Sequence, residues 1–293
     1  MNQPGQAYRG RFAPSPTGPL HLGSLIAAVA SYLDARHNGG QWLVRMEDID
    51  PPREQAGAAE AILNSLHRHG LDWDGDVLFQ GTRSPAYDEA LAQLEAAGLL
   101  FHCRCTRQQL GPDGCCGGRC DSIEDTSAGP LALRARVAPK TAIALDDLVQ
   151  GHREWLLGST HPDFTVRRKD GLYAYQLAVA IDDIGQGITH VIRGSDLLDS
   201  TPRQVYLMQS LGALPPRYGH FPVITDADGH KLSKQNHAPA LNDDDADANL
   251  RLALAFLHQE PPPATARGPA ALLHFAAEHW ALDAIPRTLS LPA

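Results

Sequence analysis

The stretch "FAPSPTGPLHLGS", Phe12 to Ser24, places three prolines, two glycines and one histidine between a short strand pattern and an apolar helical one. Proline fixes φ and glycine permits turns or close backbone approach, so this connection is stiff and open to contact along its main chain. A rigid loop that feeds a helix N-terminus suits an anion, because unpaired amides and the helix dipole both favour negative charge there. His21 adds a donor at the same place, and Gly23 allows close approach. The same composition also fits a plain strand-to-helix connection with an incidental surface histidine, and this segment alone leaves both readings open.

Working outward, "GRFA" and "QWLVRME" each read as a strand followed by turn residues. Between them, Leu22, Leu25, Ile26, Val29 and Leu33 are spaced for one buried helix face that ends before "NGG". Strand, helix, strand predicts a parallel βαβ unit. "GAAEAILNSLHRHG" and "SPAYDEALAQLEAAG" follow as helices, the second with Ser84 as N-cap, Pro85 in the first turn and Gly98 as stop. From about residue 101 to 168 the texture changes to cysteines, glycines and "LALRARV", which predicts short alternating strands. The α/β pattern returns with "YAYQLAVAIDD", "THVIRG" and the strand "HFPVIT". We expect an α/β protein: a Rossmann-type parallel sheet domain in two halves, residues 1–100 and 169–225. An inserted subdomain over 101–168 interrupts it, and a lysine loop with a short helical C-terminal region fills 226–293. The acidic "LNDDDADANL" reads as a solvated helix start, since Asp favours first turns.

With 293 residues, 43% of them hydrophobic, the chain can bury a core large enough for two domains. No run approaches the roughly 18 uncharged apolar residues of a membrane span, and the N-terminus lacks a signal peptide's apolar segment. A cytoplasmic monomer with no membrane partner is the expectation. The net charge of −9 argues against broad nonspecific attraction to nucleic acid while leaving room for a local basic face.

All five cysteines lie between Cys103 and Cys120, a clustering that reads as a metal site and not as a disulfide scaffold. Cys103-x-Cys105, ten residues, then Cys116-x-x-x-Cys120 puts four thiolates on two knuckles, enough to close a tetrahedral structural Zn²⁺ shell. The alternative is reduced, unliganded thiols. Cys115 neighbours Cys116 and reaches nearly the same space; our reading leaves Cys115 out. Arg104, Arg107 and Arg119 would offset the negative charge of such a site.

A second chemistry-bearing segment is "HKLSK", with Lys231 and Lys234 on a loop after a predicted strand and an Asp-Gly turn just before it. Two lysines there can clamp a polyphosphate, or form a solvated turn. In an open α/β sheet the ligand crevice lies beyond the carboxyl ends of the strands, and Ala13 to Ser15, Glu47 and Arg193 all fall at such ends. Glu47 can meet an ammonium, while Arg11 and Arg193 can each fork onto a carboxylate. Competing readings are a surface ion pair for Arg193, a core position for Tyr175 in its apolar segment, and a helix cap for "EDID" in place of a metal-binding acid cluster. No catalytic metal ion is expected from that cluster.

"HLGS" and "KLSK" resemble the two signature motifs of class I aminoacyl-tRNA synthetases, and "RFAPSPTGPLHLGS" is similar to the opening of the glutamyl-tRNA synthetases. The correspondence runs on through "RMEDIDPPR", "YQLAVAIDD", "THVIRGSDLL" and "KLSKQ", spanning roughly residues 9 to 236. Only about sixty residues follow the lysine loop, where full glutamyl enzymes carry a large anticodon-binding region. The resemblance is therefore to the truncated branch, the glutamyl-queuosine tRNA(Asp) synthetases. Ser24 departs from the general class motif, which has a second histidine there.

The resemblance implies glutamate, ATP with Mg²⁺, and queuosine-containing tRNA(Asp) as substrates. It implies that Glu47 holds the α-amino group, that Arg11 and Arg193 hold the side-chain carboxylate, and that Ala13, Ser15 and Tyr175 complete the pocket. His21 and Lys234 would stabilise the phosphates, with Lys231 assisting and Gly23 near the adenosine. The insertion would carry zinc, with Cys116 where many relatives have Tyr. Rival readings are a short enzyme charging a tRNA 3′ end, a noncatalytic binding paralogue and a nucleotidyltransferase. Intact His21, Lys231 and Lys234 disfavour the paralogue, and the glutamate pocket disfavours the nucleotidyltransferase.

Overall fold

A computed structural model describes residues 7–106, 108–111, 114–116, 118–120, 129–160, 163–225 and 239–292. The decisive unit is strand β1 (Arg9–Phe12), helix α1 (Leu22–His37) and strand β2 (Gln41–Met46), with β1 and β2 paired in parallel from Arg9↔Gln41 to Phe12↔Val44. His21 caps α1: its backbone is extended and its Nδ1 accepts from the Ser24 amide at 3.3 Å. Leu25, Ile26, Val29 and Leu33 are buried along the helix, as their spacing predicts, whereas Leu22 in the first turn is only half-buried. At its end Gly39 takes a left-handed φ of 62° to release the chain into β2.

Helix α2 (Ala58–Arg68), the short strand β3 (Leu78–Phe79) and helix α3 (Ser84–Ala96) follow. The α3 helix starts one residue earlier than expected: Arg83 is its cap, Ser84 its first residue, and Pro85 falls second, where a missing N–H costs nothing. Strands β4 (Leu100–Cys103), β5 (Ala132–Arg136), β6 (Ala142–Asp147) and β7 (Gly151–Leu156), helix α4 (Leu157–Thr160) and strand β8 (Asp163–Arg167) come next. They form an antiparallel sheet β4-β5-β8 and a β6–β7 hairpin, the short strands expected of the cysteine-bearing segment.

Helix α5 (Tyr175–Gly185), strand β9 (His190–Gly194), helix α6 (Thr201–Ser210) and strand β10 (Arg217–Phe221) restore the parallel pattern, with β9 and β10 in register from His190↔Arg217. "HFPVIT" is not one strand. Pro222 separates β10 from β11 (Val223–Thr225), because proline has no N–H to give a ladder. The amide of Thr189 donates to the Arg9 carbonyl at 2.9 Å, which sets β9 against β1. The strand sequence across the fold is thus β3, β2, β1, β9, β10, and α1, which leaves β1, packs in one apolar core while α6, which leaves β9, packs in the other. The crevice between β1 and β9 is a topological switch point.

Alternate residues of one strand enter different apolar cores, as a period of two requires: Trp42 and Val44 pack with α1, while Leu43 packs with α3, α5 and α6. Residues beyond the lysine segment complete the first core. Helices α7 (Ala246–Phe256) and α8 (Pro269–Glu278) supply Leu250, Leu254 and Leu272, and Trp280 donates to the buried Asp34 at 2.9 Å. Strand β12 (Ser290–Pro292), absent from the sequence expectation, pairs with β11. No described helix is long and apolar enough to cross a membrane.

Candidate active site

A cavity of about 490 Å³ opens at the switch point, beyond the carboxyl ends of β1, β2, β9 and β10. It gathers Arg11, Ala13, Ser15, His21, Gly23, Glu47, Tyr175 and Arg193, every sequence-derived site residue within the described chain except the cysteines. Lys231 and Lys234 lie outside the described residues. Their flanks are informative: Val223 and Ile224 line the cavity, and Ala240 forms an antiparallel bridge with His21. The described chain before the lysine segment thus lines the pocket, and the described chain after it pairs with a lining residue.

The loop Ala13–Leu20 is held by main-chain bonds. The Glu47 amide donates to the Pro14 carbonyl at 2.9 Å and the Gln55 amide to Pro16 at 3.0 Å. Gly18 has φ 135°, which a side chain rarely adopts. Because His21 accepts at Nδ1, its proton sits on Nε2. That makes it a donor beside a helix N-terminus, in a wall shared with Gly23 and Ser24.

Behind the lining stands a buried charge cluster. Arg11 reaches Asp183 at 3.3 Å, and Arg45 reaches Asp183 at 2.8 Å and Glu47 at 3.8 Å. Burial lifts the Glu47 carboxyl to about 7 even though Arg45 and Arg11 pull it down. For Asp183 the balance reverses: burial alone would raise it, but Arg11 and Arg45 hold it below the usual carboxylate range. With Glu47 ionised, three guanidiniums, Arg193 included, face two carboxylates, so the cluster has one positive charge to spare. Glutamate, with two carboxylates and one ammonium, brings one net negative charge.

Arg193 is buried, not a surface ion-pair residue, and is fixed on three sides. Its Nε donates to Nε2 of His220 at 3.0 Å, one terminal nitrogen donates to the Thr201 hydroxyl at 2.8 Å, and the guanidinium carbon lies 5.2 Å from the centre of the Tyr218 ring. The other terminal nitrogen, Nη1, is buried with no hydrogen-bond partner among the described residues. Such a group is costly unless a ligand satisfies it. His220 donates from Nδ1 to Asp147 at 2.5 Å, and burial with Arg193 nearby lowers it to about 4, so it stays neutral.

Sequence reading missed Arg45, Asp147, Asp183, Thr201 and His220. Asp183 sits in the quoted "AIDD", where an acid in an apolar helix segment asks for a buried cation. Nothing local marks Asp147 or His220. Tyr175 begins α5 and lines the cavity. Asp48 and Asp50 of "EDID" serve local structure: Asp48 accepts from the Gly81 amide at 2.8 Å, and Asp50 pairs with Arg53 and Arg168.

In the cysteine segment, the sulfurs of Cys103, Cys105 and Cys120 lie within 4.8 Å of one another, a set that could hold a metal ion. Cys116 is buried in the same apolar cluster, but its sulfur falls outside that mutual distance. Cys115 turns away to donate to Asp163 at 2.8 Å. The Cys105–Cys120 sulfur separation is 3.6 Å. Zn–S bonds of about 2.3 Å at tetrahedral angles require about 3.8 Å. The donors present fit that ion.

The model for "tRNA synthetases class I (E and Q), catalytic domain" matches residues 7–113 and 121–258. The chain belongs to this family of class I tRNA synthetases, and its fold is that family's catalytic domain, of mixed α/β content with a parallel sheet. It is 50% identical over 288 residues to a Pseudomonas fluorescens protein named glutamyl-Q tRNA(Asp) synthetase, covering 98% of this chain and 96% of that one. A protein of the same name from Dechloromonas aromatica is 51% identical over 306 residues, with 100% of each covered. Among solved structures, a glutamate tRNA ligase from Elizabethkingia meningosepticum in complex with its amino acid superposes with TM-score 0.81 at 24% identity, covering 98% of this chain and 67% of that one. That likeness speaks to the fold alone.

Proposed function

We propose that this chain is an ATP-dependent glutamyl ligase that activates glutamate to glutamyl-adenylate without tRNA and transfers the glutamyl group to queuosine at the wobble position of tRNA(Asp). The observation that carries the amino acid is the buried Arg193, clamped by His220 and Thr201 with Nη1 left over, set in one cavity with Arg11 and Glu47. The names of the relatives at about 50% identity carry the acceptor.

In this reading Arg193 and Arg11 take the side-chain carboxylate, Glu47 the ammonium, and Tyr175, Ser15 and Ala13 the remaining surface. The α-carboxylate attacks the α-phosphorus of ATP, and pyrophosphate leaves with its Mg²⁺. Positioning and charge stabilisation supply most of such catalysis. His21 donates to the phosphates from Nε2, Gly23 leaves room for the nucleotide, and Lys234 with Lys231 neutralises charge from the segment that follows Ile224 in the cavity wall and precedes Ala240, which bridges His21. Cys103, Cys105 and Cys120, with Cys116 as fourth ligand once its sulfur moves toward theirs, would hold a structural zinc ion; its role would be to pin the two knuckles together. We read residues 1–100 and 169–225 as the catalytic halves around the insertion 101–168, with 226–293 as the lysine loop and helical C-terminal region.

The test is glutamate-dependent ATP–pyrophosphate exchange with and without tRNA, followed by transfer of labelled glutamate to tRNA(Asp) with and without queuosine. Exchange without tRNA and queuosine-dependent transfer are expected. Exchange only with tRNA, and label on the 3′ end, would sink the reading in favour of a short charging enzyme.

A further inference from the structure

A side cleft of about 180 Å³ opens off the main cavity and shares Ser15, Thr17, Glu47, Arg53 and Tyr175 with it. Its own walls are Ile49, Asp50, Glu54, Arg168, Tyr173 and Ala174. This is below the roughly 300–1,000 Å³ of a complete ligand pocket, so it admits a ring-sized fragment and not a whole nucleotide. The activation chemistry uses none of the residues peculiar to it.

Its acids are not equivalent. Asp50 is already neutralised between Arg53 at 2.5 Å and Arg168 at 3.2 Å. Glu54 has no ion pair among the described residues, and its Oε1 is buried without a hydrogen-bond partner. Burial, with Asp48 and Asp50 nearby, raises its carboxyl above the usual value. A carboxylate in that position gains from an arriving ammonium that can donate to it. The apolar part of the cleft, Ile49 and Ala174 with Tyr173 and Tyr175, suits a small hydrocarbon ring.

We propose that this cleft is the acceptor subsite, which takes a secondary ammonium joined to a cyclopentenediol, with Glu54 holding the ammonium. This rests on the function proposed above, for queuosine carries such a group on its base. Because the cleft and the main cavity share Glu47 and Ser15, a diol seated in the first lies beside an adenylate formed in the second. A diol oxygen attacks the glutamyl carbonyl carbon and forms the ester C–O bond. The bond from that carbon to the phosphate oxygen breaks, AMP leaves with the electron pair, and the hydroxyl proton passes to its phosphate. Arg53, exposed, and Arg168, partly exposed, both line the cleft and can meet the phosphates of an entering RNA loop.

Glu54→Gln separates the steps. Pyrophosphate exchange should stay within about twofold of the unsubstituted protein, while KM for queuosine-bearing tRNA(Asp) rises by about tenfold or more, as for loss of a charge-assisted hydrogen bond. A tRNA(Asp) carrying the aminomethyl precursor base, which has an amine and no diol, should inhibit transfer by the unsubstituted protein and lose that inhibition with Glu54→Gln. Unchanged transfer kinetics, or exchange falling in parallel with transfer, would overturn the assignment. Failure of the unsubstituted protein to transfer glutamate to queuosine tRNA would overturn the function itself, a result distinct from absence of a Glu54 effect.

Discussion

Arg193 and His220 are joined Nε to Nε2 at 3.0 Å, both buried, and His220 is anchored in turn by Asp147 at 2.5 Å. The three residues come from β9, β10 and the end of β6, so a side chain of the hairpin segment orients the guanidinium of the sheet. Asp147 also accepts from the His220, Val149 and Gln150 amides, which fixes its own position. His220 is thus a positioning residue that acts through Arg193.

His220→Ala leaves Arg193 Nε and Asp147 without this partner. Loss of a buried charged hydrogen bond costs about 1.5–3 kcal/mol, so KM for glutamate should rise by roughly tenfold to a hundredfold. KM for ATP and kcat at saturating glutamate should change little. Pyrophosphate exchange kinetics measure the split; an equal rise in both KM values would indicate general loosening instead.

Arg193→Lys should not restore what Arg193→Ala removes. A lysine has one point of donation, whereas the arginine spends Nε on His220 and one terminal nitrogen on Thr201 while keeping Nη1. Both variants should bind glutamate at least tenfold more weakly by calorimetry. Both should also narrow its margin over glutamine.

Glu47 carries a pH dependence whose sign can be worked out. Its folded value, about 7, lies above the ordinary 4.5, because burial disfavours the charged form. Only the ionised form pairs with an ammonium, so glutamate affinity should climb as pH rises through about 7 and level off above it. Without ligand the stability contribution runs the other way, full below about 4.5 and lost as pH rises through about 7. Glu47→Gln should flatten the affinity profile at a low value in titrations across that range.

Lys234→Ala should reduce pyrophosphate exchange by about a hundredfold or more, the scale of removing one preorganised charge from a transition state. Glutamate binding should survive, since Arg11, Arg193 and Glu47 remain in place. Retention of full exchange would remove Lys234 from the mechanism.

Metal analysis should find one zinc per chain, lost in Cys103→Ser and Cys120→Ser together with a lowered melting temperature. Cys115→Ser should keep its zinc, since that thiol is turned to Asp163. Zinc retained in Cys120→Ser would show that the three sulfurs gathered in the fold are not the ligand set.

The signals that were legible in the sequence are local ones. A period of 3.6 in Leu25, Ile26, Val29 and Leu33 identifies α1, and proline and glycine identify the loop before it. The rule that ligands sit beyond the carboxyl ends of parallel strands then placed Ala13, Ser15, Glu47 and Arg193 in one crevice, where they are found. The start of α3, by contrast, shifted by one residue, because cap and first turn share the same residue types.

Sequence by itself therefore determined the parallel βαβ frame, the stiff loop between β1 and α1 and the types of charge around the pocket, since each follows from spacing along a few neighbouring residues. Only the tertiary structure decided how those charges are held. Asp183 meets Arg11 and Arg45 across 172 and 138 positions of chain, Asp147 meets His220 across 73, and Trp280 meets Asp34 across 246. A buried charge must find its partner wherever the fold brings one, and no local pattern encodes that distance.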